Sequence, residues 1–538
     1  MTMIRTTGLL TGAITLAFTG IAGASDNDNA SIDALRAELN ELRAQNNSLV
    51  ARVDAQDAEW LNEERASEIR GIVQDVLADS QSRTSLQDSG MMAGYKAGKG
   101  FFLSSADGNF SLNVNGQLQT RWVLNNNPGN NDIRGNGEET SWGFQVRRAK
   151  VRFQGNVIDP TWTYQINGAF EGPDQQNAFS SQGATLEWGA GVPSNGGGFQ
   201  FQEAFIAKEL EGGVTLTFGQ FKTPWMREEL VDSSQQLAVE RSVINEFFNQ
   251  DRAVGIMASY QEDDWNLALS YNNGQATAVG QSARYTNFSN SPTDWAFSGR
   301  FEWKLSGDWS DFDSFNADNN TEEALMLGVA FMGQKYNQNA GALAGNFPNA
   351  GGAGVPAVFS VNLDGTTVWG ITADVSAKFN GFSIFASGVW QNYDPSYEGT
   401  FNVAGGAPGP LPDNAAGDSY DPWGIVVQAG YALTSDNNGN AEWELFARYE
   451  EGNASFENFF TGAGTGATAA LFTDGGNPSI LTIGANYFVN ENVKFTVDWG
   501  INFADQMDLF SQEPSNTGWE SSDDSDQWVL RAQLQLLF

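Results

Sequence analysis

Residues 110–122 read FSLNVNGQLQTRW, and this stretch decides the fold. Leu112, Val114, Gly116, Leu118 and Trp122 fall on one side of an extended chain. Asn113, Asn115, Gln117, Gln119 and Arg121 fall on the other, because successive strand side chains point to opposite faces. A soluble sandwich strand turns its apolar face inward. A transmembrane barrel reverses the sides, with apolar residues against lipid and polar ones around water.

The same period recurs along the chain. Sixteen candidate strands cover about 110–122, 143–157, 161–171, 199–208, 213–221, 252–260, 264–272, 294–304, 323–332, 366–379, 382–392, 422–431, 441–450, 479–488, 492–501 and 527–538. Clear apolar stripes are Trp265, Leu267, Leu269, Tyr271 and Val493, Phe495, Val497, Trp499, Ile501. The fourth candidate is ambiguous, since Phe201, Glu203 and Phe205 conflict on one face. Long connections alternate with short ones such as Ile158–Pro160, Asn380-Gly381 and Asn490-Glu491, as an even-stranded barrel with both ends on one side requires. The exception is the Asp-rich stretch 305–322, where a short turn is due. A calcium site through Asp308, Asp311 and Asp313 is one reading of it, but without a Gly-punctuated ligand loop a solvated segment is favoured. The chain ends on Trp528, Leu530, Ala532, Leu534, Leu536 and Phe538 along one face, the kind of terminal strand that barrel assembly machinery reads. The predicted fold is therefore all-β: a 16-stranded antiparallel transmembrane barrel over 109–538.

Composition agrees. The chain has 538 residues with 28 Lys plus Arg against 65 Asp plus Glu, a net charge of −37 that disfavours nucleic acid as a partner. It contains no Cys and no His, which removes thiolate and imidazole metal sites and the commonest general base. No enzyme activity, cofactor or metal is expected. A hydrolase such as a lipase is disfavoured by the lack of His. Its 60 Gly, 37 Phe, 17 Trp and 12 Tyr suit a barrel with aromatic girdles at the membrane surfaces. Membrane lipid is the first expected partner.

The N-terminal region reads differently. Residues 1–24 form a signal peptide, with Arg5, an apolar run from Leu9 to Ile21, and a small-residue cleavage site at Ala22-Gly23-Ala24. Over 25–80, Ile32, Leu35, Leu39, Leu42, Asn46, Leu49 and Val53 recur at spacings of three and four. That is a heptad seam with Asn46 at an a position, so the segment is predicted as an α-helical coiled-coil stalk that self-associates. Dimer and trimer are not separated by this pattern. The stalk, placed in the periplasm, offers an alternative role: tethering the outer membrane to the cell wall. Residues 81–108 read as a Gly-containing linker.

One connection, 222–251, lacks the Gly and Asn of the other long loops and has helix-friendly composition. Gly219-Gln220-Phe221-Lys222-Thr223-Pro224, Glu228-Glu229-Leu230, Glu240-Arg241-Ser242 and Asp251-Arg252-Ala253-Val254-Gly255 resemble the phosphate-selective porin O and P family. Arg147-Arg148-Ala149-Lys150 resembles that family's second-strand motif. The resemblance implies an outer-membrane trimer whose third outer loop narrows the lumen and whose anion path is lined by Arg and Lys.

On predicted luminal faces, Arg148, Lys150 and Arg152 stack at i, i+2 and i+4. Arg121, Arg300, Lys304, Lys378, Arg448, Lys494 and Arg531 also point inward, and Lys222, Arg227 and Arg241 lie on the constricting loop. Such a ladder concentrates anions in a narrow pore. Luminal acids oppose it, namely Glu171, Glu302, Asp374, Glu442, Glu444 and Asp498, and pairing with these would brace the wall instead. The functional expectation is passive diffusion of small hydrophilic solutes or ions, with anion or phosphate preference left open.

Overall fold

The computed structural model describes residues 36–50, 90–96, 100–128, 139–170, 199–274, 293–337, 342–346, 358–362, 365–394, 400–401, 409–410, 419, 421–435, 441–454, 476–504, 517–519 and 526–538. The chain divides into two units, Met1–Gly90 and Met91–Phe538. In the first, residues 36–50 form one α-helix, α1, whose side chains are all exposed. Leu39, Leu42, Asn46 and Leu49 lie on it; Ile32, Leu35 and Val53, like the predicted signal peptide, lie outside the described residues.

The second unit is an antiparallel sheet. It opens with β1 (Met91–Lys96) and β2 (Gly100–Ser105). Then follow β3 (Ser111–Asn126), β4 (Thr140–Val157), β5 (Asp159–Phe170), β6 (Phe199–Glu209), β7 (Val214–Lys222), β8 (Arg252–Gln261), β9 (Trp265–Asn272), β10 (Thr293–Ser306) and β11 (Ala324–Tyr336). β12 (Ala342–Asn346) and β13 (Val358–Asn362) form a separate ribbon. Next come β14 (Thr367–Phe379) and β15 (Phe382–Asp394), a small pair β16 (Thr400–Phe401) and β17 (Gly409–Pro410), and then β18 (Trp423–Ser435), β19 (Ala441–Asn453), β20 (Ser479–Asn490), β21 (Val493–Asn502) and β22 (Trp528–Leu537).

β3–β11, β14, β15 and β18–β22 pair in chain order, each antiparallel to the next. The ring closes where β22 pairs with β3, from Trp528↔Asn126 to Leu537↔Gln117. This is a closed sixteen-stranded barrel, and closure removes the open sheet edge that hydrocarbon would not tolerate. All sixteen strands read from the sequence are present. Trp303, Trp443, Phe495, Trp499 and Leu534 are exposed on the outer wall, while Gln119, Arg121, Asp374, Thr482 and Gln533 are buried inside it. The β14–β15 turn is Asn380-Gly381, both at positive φ (47° and 85°), the backbone a two-residue hairpin turn demands.

Two β-bulges change the inward set. Between Gln119↔Arg148 and Thr120↔Val146 the register skips Arg147, so Arg147 and Arg148 both turn inward. Trp142, Phe144 and Val146 face out before the skip, and Phe153 faces out after it, with opposite parity. A second register shift passes over Gln202 between Gly168↔Phe201 and Asn167↔Glu203. That resolves the ambiguous fourth strand: Phe201 is exposed outside, and Gln202 and Glu203 are both buried.

Residues 91–105, placed by sequence in a linker, instead extend the sheet. β1 and β2 form a hairpin, and β2 pairs with β3 from Phe101↔Val114 to Ser104↔Ser111. β2 therefore continues along the edge of β3 from where the chain terminus stops. There Phe538 and Gly116 exchange both backbone hydrogen bonds, at 2.7 and 3.1 Å. The Phe538 ring lies across Gly116 so closely that an added Cβ would sit 2.3 Å from it.

Candidate functional site

The lumen is filled from the long-loop end by the connection between β7 and β8. It contains α2 (Arg227–Leu230) and α3 (Val243–Phe248). Ser242 caps α3 by accepting from Asn245 N, which satisfies one of the free amides of the first turn. Despite the helix-friendly composition of this connection, residues 237–241 are not helical; Leu237 goes into an apolar cluster and Glu240 into an ion-pair cluster.

One side of this loop is dry. Trp225, Met226, Val243, Ile244, Phe247 and Phe248 pack on inward-facing Met332, Val368, Val389, Val426, Ile480 and Val529. Trp519, from the connection before β22, joins the same cluster. The other side is ionic. Glu240, 2% exposed, takes Arg121 Nη1 at 2.7 Å, Arg147 Nε at 2.9 Å and Arg148 Nη2 at 2.8 Å. Burial alone would raise the Glu240 carboxyl, but Arg147, Arg148 and Arg121 outweigh it and hold it well below the usual carboxylate range.

Elsewhere the basic wall residues donate to loop backbone. Arg448 reaches Glu240 O at 2.7 Å and Glu450 Oε1 at 2.7 Å. Lys494 reaches Gln236 O at 2.9 Å, and Lys222 reaches Glu229 O at 2.7 Å. Arg300 pairs with Asp374 at 2.8 Å and donates to Trp225 O at 3.2 Å. Arg241 pairs with Glu229 at 3.2 Å, and Arg531 with Asp498 at 2.7 Å. Thus Arg121, Arg148, Arg241, Arg300 and Arg448 join networks that stitch the loop to the wall. Arg147 belongs to the same network and is missed by strict alternation, because only its strand register reveals the bulge.

A cavity of about 550 Å³ lies between this loop and the β3–β8 wall. Lys150, Arg152, Lys222 and Arg227 line it, as do Glu203, Asp232 and Asp313. Arg152 pairs with Asp232 at 2.7 Å, and Lys150 contacts Ser233 Oγ at 3.4 Å. Arg227 pairs with Glu302 at 3.6 Å. Lys304 lies outside this group, at the short-turn rim, donating to Gly307 O at 2.8 Å above the Trp309 ring.

The Asp-rich connection 307–323 is not simply solvated, as its composition suggests. It folds inward on Phe312 and Phe315, which are 4% and 5% exposed. The Phe315 ring packs tilted against Phe385 at 4.6 Å between centroids, and Phe315 donates its N–H to Gln235 O at 3.0 Å. Asp318 pairs with Lys378 at 3.3 Å. Among the described residues no carboxylate group is arranged to hold a metal ion, Asp308, Asp311 and Asp313 included.

The model of the phosphate-selective porin O and P family matches residues 114–538. The chain belongs to that family. It is a porin, an outer-membrane channel for passive diffusion. Similar solved structures include OmpT, an outer membrane protein of Vibrio cholerae, at 10% identity over 80% of this chain and 97% of that one, TM-score 0.43. They also include an anion-selective porin from Comamonas acidovorans, at 12% identity over 79% and 99% of the two chains, TM-score 0.43. A third is the outer membrane channel DcaP of Acinetobacter baumannii, at 12% identity over 79% and 97%, TM-score 0.43. A search of curated proteins gives no match.

Proposed function

We infer that the porin passes small hydrophilic solutes with a modest preference for anions, through the space between the constricting loop and the β3–β8 wall. The observation that supports this is the charge placement on that side. Arg121, Arg147 and Arg148 face the single carboxylate of Glu240, and below them Lys150, Arg152, Lys222 and Arg227 face Glu203, Asp232 and Asp313. Bases exceed acids, so anions are concentrated. The excess is small and most bases carry a partner, so the preference is weak and strict phosphate selectivity is not expected. Zero-current potential across a KCl gradient tests this. It should take the sign of chloride permeation, and Lys150→Ala with Arg152→Ala should move it toward potassium. A cation-selective wild type, or no movement in the double variant, overturns the reading.

The same reading places the short turns and residues 25–80 in the periplasm. In α1, Leu39, Leu42 and Leu49 are 50%, 60% and 56% exposed, an apolar seam that a single helix leaves in water. A seam of this spacing is covered by copies of itself, which supports a homo-oligomer, taken as a trimer. Phe538 at the closing strand supports recognition by the barrel assembly machinery. Attachment of the stalk to the cell wall remains the second role, separable by deleting 25–80 and measuring conductance and envelope attachment side by side.

A further inference from the structure

Two of the three guanidinium groups around Glu240, those of Arg121 and Arg148, are held by side chains of the barrel wall, whereas the carboxylate all three hold is brought by the loop. Arg121 donates through Nε and Nη2 to Gln145 Oε1, at 3.1 and 2.8 Å. Arg148 donates through Nη1 to Gln119 Oε1 at 2.9 Å. Gln119, Arg121, Gln145, Arg147 and Arg148 all lie on β3 and β4, and the Arg147 bulge turns two adjacent guanidinium groups toward one point. Removing the loop carboxylate leaves this arrangement with its wall hydrogen bonds intact.

The contacts also define the shape of what fits. Oε1 receives Arg121 Nη1 at 2.7 Å, Arg147 Nε at 2.9 Å and Arg148 Nη1 at 3.2 Å. Oε2 receives Arg148 Nη2 at 2.8 Å and Arg147 Nη2 at 3.4 Å. Arg147 and Arg148 each straddle both oxygens, the forked geometry that matches a planar carboxylate. Every one of these contacts ends on the two oxygens of a single plane. A tetrahedral oxyanion would place further oxygens outside that plane, which these five contacts do not meet. Three cations against one anion leave the cluster electron-poor in surroundings where charge is weakly screened, so an empty site would draw an anion.

We propose that Arg121, Arg147 and Arg148 form a carboxylate-binding site in the channel wall, occupied by the constricting loop's own Glu240, and that small carboxylate anions from solution compete for it. This extends the anion-preferring channel described above and rests on it for one readout only. Displacement of the Glu240 carboxylate removes the side-chain tie of the loop to β3 and β4 while Arg448 still holds Glu240 O at 2.7 Å and Asp498 still accepts from Val239 N at 2.9 Å, so a bound carboxylate loosens the loop locally and changes the aperture it passes.

The test is chemical replacement. Glu240→Ala removes one CH2CO2 unit, and acetate supplies the same atoms. The full-length channel and the variant are compared in chloride, acetate and inorganic phosphate at equal ionic strength. Readouts are single-channel conductance and the thermal unfolding midpoint in detergent. The variant should show an altered, noisier conductance and a lower midpoint in chloride, both returning toward wild type in acetate. Half-effect should come at least about tenfold lower in acetate concentration than any response of the wild type, whose tethered carboxylate competes at high effective concentration. Arg148→Gln added to Glu240→Ala should abolish the response. Should the variant fail to fold in chloride, acetate-dependent refolding yield is the readout. The proposal is overturned by no acetate response in the variant, by equal responses in variant and wild type, or by phosphate acting at lower concentration than acetate. The midpoint does not depend on conduction, so a protein that carries no current would refute the channel reading without deciding this one.

Discussion

Replacing Phe248 by alanine should release the dry side of the constricting loop while leaving the barrel closed. Phe248 is 1% exposed, packs edge-on to Phe247 at 4.6 Å, and lies against the wall at Gly424, where an added Cβ would sit 3.2 Å from its ring. Truncating a buried Phe costs about 3–5 kcal/mol. That loss falls on docking of the loop, because the β22–β3 closure from Trp528 to Leu537 does not involve it. At about 1.4 kcal/mol per tenfold, a 4 kcal/mol loss raises the undocked fraction roughly a thousandfold. Single-channel records should then show brief sublevels of higher conductance that the wild type lacks. The folded barrel should still resist unfolding in detergent as before. Gly424→Ala presses from the opposite side, since its Cβ would lie 2.5 Å from Ile244 Cγ2. Its effect should be less than additive with Phe248→Ala, which opens room beside it. Unchanged conductance together with a large drop in barrel stability would refute this reasoning, because the cluster would then be bracing the wall rather than setting the aperture.

Further expectations follow from the same contacts. Gly116→Val places a side chain where the Phe538 ring lies, so the yield of closed, detergent-resistant barrel should fall sharply while synthesis does not, as followed by heat-modifiable mobility on gels. Phe315→Ala, which removes the ring contact with Phe385, should free the 307–323 connection and raise conductance by a smaller step than Phe248→Ala. The pH dependence has a definite sign. Glu240 is held below its ordinary value of 4.5, so its contribution to loop docking is complete above about that pH and declines only as pH falls further. The conductance change that depends on Glu240 should therefore appear only below about pH 4.5 and be missing from Glu240→Ala, recorded in titrations of the same bilayer.

The wall of this protein was legible in its sequence because a period of two survives wherever one face meets lipid and the other meets water. The stripe ending in Leu534, Leu536 and Phe538 needed no partner to be read. The bulges at Arg147 and Gln202 were not legible, since skipping a residue depends on the neighbouring strand's register and not on the residue itself. This is why alternation puts only Arg148 of the Arg147-Arg148 pair in the lumen, and why Phe201 and Glu203 conflict on one face. The 307–323 connection was hidden by its own composition: its aspartates suggest solvation, while Phe312 and Phe315 decide where it folds. In 91–105 the glycines suggested a linker, and the consecutive Phe101, Phe102 and Leu103 gave no alternation to contradict it. Which carboxylate each luminal base meets is a matter of loop geometry that spacing along a strand does not contain.

Recording from the purified chain in a planar bilayer probes the whole account at once. Discrete, reproducible current steps from detergent-extracted, heat-modifiable protein are the predicted result. Folded barrels that insert and carry no current would contradict it, as would a chain that stays dissolved in buffer with no detergent at all.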